Sequence, residues 1–118
     1  MFCKIMNAEK QIAPEIRALR SERLNEYRQR GYNYLANAIR AAEGSRADLE
    51  LLDVAADDGK EFQIEVKAFW DDMPSRDIRV LAEVLPIPLR PFLGFIPIYF
   101  AGSCDDFIIR PDGTFVDE

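Results

Sequence analysis

Apolar and polar positions along this chain recur first at helical spacing and then with a period of two. From Pro14 the run "PEIRALRSERLNEYRQR" consists of strong helix formers, and Ile12, Ile16, Leu19 and Leu24 to Tyr27 fall at helical intervals. Proline is accepted in a first helical turn. Arg28 and Arg30 suit the negative end of the helix dipole, and Gly31 follows as a C-cap. The next run, "YNYLANAIRAAEG", aligns Tyr34, Leu35, Ala38, Ile39 and Ala42 on one face and stops at Gly44. A rival pattern continues one helix through Gly31, since positions 27, 31, 34, 38 and 42 also share a stripe. Glycine inside a helix costs about 1 kcal/mol relative to alanine, which favours two helices within 12–43.

After "EGSRAD" the period shortens. "LELLDVA" predicts a strand and "DDGK" a hairpin turn. "EFQIEVKAFWD" then alternates, with Phe62, Ile64, Val66, Ala68 and Trp70 on one side and Glu61, Gln63, Glu65 and Lys67 on the other. "DIRVLAEV" repeats the pattern, Ile78, Val80, Ala82 and Val84 inward and Arg79 and Glu83 outward. Short turns between such strands predict a meander with one face on the helices and one in water. Four prolines interrupt "LPIPLRPFLGFIPIYFAG", so this stretch reads as an extended connection ending in an edge strand near "IPIYF". "DFII", "RPDG" and "TFV" close the chain as two short strands about a turn. The expected fold is therefore a single α+β domain over 1–118. Two N-terminal helices (12–43) pack on one face of a four- or five-stranded, mainly antiparallel sheet (48–118).

Composition narrows the chemistry. The 118 residues are 48% hydrophobic and 31% charged, values of an ordinary globular domain. The first residues lack the apolar run of a signal peptide, and no stretch is long enough to span a membrane. Cys3 and Cys104 are too few for a disulfide framework and fit no zinc spacing; a reduced, cytoplasmic setting is the simplest expectation, with one bridge between them left open. There is no histidine, which removes Ser-His and Cys-His pairs and imidazole ligands. No cofactor is expected.

Charge is unevenly spread. Residues 1–46 carry nine Lys/Arg against five Asp/Glu, and residues 47–118 carry six against sixteen, giving +4 and −10 within a net −6. The acids cluster in pairs, Asp57-Asp58, Asp71-Asp72 and Asp105-Asp106, with Asp77, Asp112, Asp117 and Glu118 nearby in turns and at the terminus. Aspartate at a strand end commonly hydrogen-bonds local backbone. None of these stretches has the alternating pattern of a calcium loop, although gathered strand ends would form a carboxylate site for a hard cation. On the helix, Arg20, Arg23, Tyr27 and Arg30 share a face that could follow a phosphate backbone, but interspersed glutamates and the acidic remainder make a solvated face the expectation. Beside its carboxylates, the Cys104 thiol would be held protonated and unreactive.

The segment "DIRVLAEV…DDFIIRPDGTFVDE" resembles the C-terminal part of small bacterial proteins of no assigned activity, which end in a D-I-R-V strand, a D-F-I strand and an acidic P-D-G-x-F-V finish. The resemblance covers about the last forty residues, and this chain departs from it by inserting "PIPLRPFLGFIPIYF". It implies a compact sheet closed by its terminal hairpin, and transfers no catalytic residue or ligand. The functional expectation is a small, acidic, non-catalytic prokaryotic interaction protein, of the profile shared by immunity proteins, antitoxins, inhibitors and secretion chaperones. Its contact would combine Asp71, Asp72, Asp105 and Asp106 with the apolar anchors Trp70, Phe92 and Phe95, and its partner would be a protein with a basic surface. Nucleic acid and membrane are not expected partners, and a homodimer stays open. The alternative is a carboxylate-dependent metal-binding or metal-dependent enzyme domain on the same acidic strand ends.

Overall fold

A computed structural model describes residues 12–87 and 103–116. One helical element, α1 (Pro14–Ala41), precedes four strands: β1 (Arg46–Ala55), β2 (Glu61–Trp70), β3 (Ile78–Ile87) and β4 (Ser103–Ile109). The strands form one antiparallel sheet in the order β1-β2-β3-β4. The α+β class and the antiparallel sheet agree with the sequence pattern. The expected "IPIYF" strand lies outside the described residues, and the expected last strand is reduced to Phe115, which bridges Ile109.

The expected pair of helices is one element, broken in the middle. Gly31 takes φ 86° and ψ 172°, a region that residues other than glycine enter only under strain. The turn after it resumes at once, so no connecting loop separates the two halves. Both sequence patterns had part of the answer: the stripe runs on, and the glycine bends it.

The core lies between α1 and the inner face of the sheet. Ile16, Leu24, Tyr27, Leu35, Ala36 and Ile39 meet the alternating Phe62, Ile64, Val66 and Ala68 of β2, the matching Ile78, Val80, Ala82 and Val84 of β3, and Phe107 and Ile109 of β4. Both central strands thus bury the residues their alternation predicts. β1 does not alternate as written, because its register to β2 shifts between Asp48 and Glu50. A bulge of one extra residue turns the following side chains over. Glu50 then faces the helix and Leu51 faces out, 61% exposed.

Glu50 acquires partners there. Arg23 Nε and Tyr27 Oη each donate to its Oε1, both at 3.1 Å, and so tie α1 to β1. A second buried tie joins α1 to β4: Arg20, 4% exposed, donates from Nη1 to Ser103 Oγ at 3.0 Å. Midway along α1, just before Gly31, the Arg28 guanidinium lies over Phe107, 4.8 Å from the ring centre, and Phe107 meets Phe115 edge-on at 5.7 Å. The expectation that the arginine face of the helix is solvated is corrected at Arg20. Spacing explains why: position 20 lies one turn from both Ile16 and Leu24, in the middle of the buried stripe.

Two outcomes follow from these contacts. Gly31→Ala should lower unfolding stability by about 1–3 kcal/mol through backbone strain, since a methyl group at this position meets no atom within 4 Å; denaturant melts of the two proteins measure it. Burial, reinforced by the Glu50 carboxylate, raises the Tyr27 phenol above its usual 10.0. A raised folded pKa stabilises fully below the ordinary value and is lost as pH climbs through the raised one. Wild type should therefore lose more stability than Tyr27→Phe when alkaline melts are compared with neutral ones.

Candidate functional site

The acidic strand ends converge only in part. Asp71 follows β2, Arg79 is the second residue of β3, and Asp106 lies in β4 on the same outer face of the sheet, because Leu81 pairs with Asp106 and Arg79 with Ile108. Between the two carboxylates stands the Arg79 side chain. Its Nε donates to Asp71 Oδ1 at 2.7 Å and its Nη1 to Asp106 Oδ2. Burial alone would lower the Arg79 pKa, but the two carboxylates outweigh it and hold the guanidinium more firmly charged. One of the two negative charges that Asp71 and Asp106 bring to this border is thus met from within the chain.

The other expected residues separate. Asp72 is exposed in the loop after β2. Asp105 pairs with Ala82, on the helix side of the sheet, and its Oδ1 accepts the N–H of Asp106 at 2.9 Å. Trp70 ends β2 on the inner side, half-buried against the core, with the Arg40 guanidinium 5.5 Å from its ring. Phe92 and Phe95 lie outside the described residues. The structure therefore brings Asp71 and Asp106 together on Arg79, sets Asp105 and Trp70 on the opposite face and leaves Asp72 in solvent.

For a hard cation, several oxygens must converge on one point. Among the described residues no group of three or more His, Cys, Asp or Glu side chains does so, and the space between Asp71 and Asp106 holds a guanidinium. Cys104 is disulfide-bonded, which corrects the expectation of a protonated thiol. Two turn acids serve the local backbone: Asp58 Oδ1 accepts the Lys60 N–H at 3.0 Å, and Asp112 Oδ1 accepts from both the N–H and the hydroxyl of Thr114. These hydrogen bonds from Thr114 hold the Asp112 carboxyl below its usual pKa.

What the sequence reading missed is the outer face as a whole. Cross-strand register sets Leu51 opposite Glu65, Glu65 opposite Glu83, and Phe69 beside Arg79 and Ile108. Two glutamates directly opposed repel each other. Glu65 has Lys67 Nζ at 3.6 Å along its own strand. Alternation alone predicted that Glu65 and Glu83 point outward, but only register shows that two like charges meet. Among the described residues no helix is long and apolar enough to cross a membrane. No family model, curated protein or solved structure matches this chain.

Removing Arg79 should leave two half-buried carboxylates without their donor, at a cost of about 1–3 kcal/mol. Arg79→Met should be markedly less stable than wild type, and adding Asp71→Asn and Asp106→Asn to it should recover part of the loss. Chemical denaturation of the four combinations gives the coupling; additive effects would show that the cluster is no unit.

Proposed function

We propose that this chain is a small, acidic, non-catalytic protein that acts by binding another protein, with the sheet face opposite α1 as its contact surface. The observation that carries this reading is the Glu65–Glu83 opposition in the middle of that face, beside the exposed Leu51. Lys67 offsets Glu65 in part along its own strand, and a partner that brings a further cation to the opposed carboxylates relieves their repulsion more fully. An exposed leucine at their side supplies apolar area of the kind that anchors an interface. A partner with a basic surface fits both, as the charge imbalance of residues 47–118 suggests. Immunity proteins, antitoxins, inhibitors and secretion chaperones remain the classes with this profile. Asp71 and Asp106, which share the single positive charge of Arg79, belong to the border of this contact.

Capture from the native host tests the reading, using wild type and the double variant Glu65→Lys, Glu83→Lys, whose folding is checked by circular dichroism. Wild type should retain a basic protein that the variant loses by roughly tenfold or more, as expected when charge is reversed at a contact. Identical recoveries from both, or nothing above background from wild type, would overturn it.

A further inference from the structure

β1 is a border of the sheet, and among the described residues no backbone group pairs with its free edge. The other border is partly closed, since Ile109 bridges Phe115 and the Val116 N–H donates to Ile108 O at 3.0 Å. Proteins usually blunt an open edge with lysine, proline or a very short strand. β1 has ten residues and neither lysine nor proline. Its bulge lies before Glu50, and from there to Ala55 the register with β2 is unbroken.

Two depressions flank this regular half, one on each side of the strand. On the helix side a groove of about 590 Å³ has Ile16, Leu19 and Val54 in its lining and Glu15 and Glu22 beside them. The second, about 250 Å³, is lined by Asp53, Val54, Ala55 and Glu61. Side chains of a strand laid along this edge would alternate between the two faces, and so between the two depressions. The surroundings are acidic: Glu15, Glu22, Asp53, Asp57, Asp58 and Glu61 stand about this end of the molecule, while Lys60 is the one cation in residues 47–66.

We propose that the Leu51–Ala55 edge of β1 receives an extended segment of a partner protein bearing lysine or arginine, which adds to the sheet as a fifth strand. The inference rests on the protein-binding reading above and names its mode. Backbone hydrogen bonds hold such a strand, and the alternating pockets select its side chains. A second copy of this chain fits less well. Its own β1 offers Asp48, Glu50 and Asp53 against Arg46 alone, bringing like charges to one border.

The probe is a capped peptide of alternating lysine and valine, titrated into the full-length protein at low and high salt, with amide exchange followed residue by residue. Two controls accompany it: the same peptide N-methylated at alternate backbone nitrogens, and one with glutamate in place of lysine. The lysine peptide should bind and slow exchange at the β1 amides, and neither control should bind. Asp53→Lys with Glu61→Lys should weaken it by roughly tenfold or more. Equal binding of the N-methylated peptide, or no binding of the lysine peptide, would overturn the edge as the site. Peptide-induced protection around Glu65 and Glu83 instead of β1 would overturn the edge and leave the protein-binding reading standing. Sedimentation as a dimer with β1 already protected would assign the edge to a second copy and overturn the proposal. Peptide binding at β1 alongside an empty host capture would separate failure of the broader reading from failure of this one.

Discussion

A four-stranded sheet has one face to hide, and the described residues supply a single helical element with which to hide it. Twenty-eight helical residues would extend about 42 Å if straight, whereas a ten-residue strand is only about 33 Å long. The bend at Gly31 lets both halves of the helix keep an apolar face on the sheet. Ile16, Leu24 and Tyr27 come from before the bend and Leu35, Ala36 and Ile39 from after it, and all six are buried. Without that change of direction the stripe would run off the strands, and part of the inner face would be left to water.

Around this core, arginines determine where the negative charge is silent and where it is not. Arg23 meets Glu50 beneath the helix, Arg79 joins Asp71 to Asp106 on the outer face, and Arg20 reaches Ser103 in the interior. Charge at those places is spent on architecture. Other carboxylates lie on the outer sheet face and around the hairpin between β1 and β2, beside a strand edge that none of the described residues pairs. Structure and proposed function are linked through that subtraction: the cations that stabilise the fold are those no longer able to screen the surface proposed for binding.

Much of the architecture was legible beforehand because it depends on local periodicity. The inward sets of β2 and β3 could be read directly, since a two-residue alternation has one solution once one face is buried. Which way Glu50 and Leu51 of β1 face could not be read in advance, because a bulge leaves no mark in composition. Arg20 was misread for a different reason: a charged residue was assigned to solvent by type, although its spacing from Ile16 and Leu24 put it on the buried stripe. The acid pairs show the same division. The pairs Asp57-Asp58 and Asp71-Asp72 do flank strands, but Asp105 and Asp106 lie within β4 rather than at its start, and parity along that strand places Asp106 with Arg79 and Asp105 on the other side.

By itself, then, the order of residues determined the element types, the inner faces of the central strands, the acidic bias of the second part and the glycine at which the helix turns. These follow from steric and periodic rules that act over a few neighbouring residues. Tertiary structure alone decided which charges are paired, that Glu65 confronts Glu83, and that among the described strands β1 is a border of the sheet, between two depressions. Each of those depends on residues distant along the chain meeting across a particular register, and register is a property of the assembled sheet rather than of any one strand.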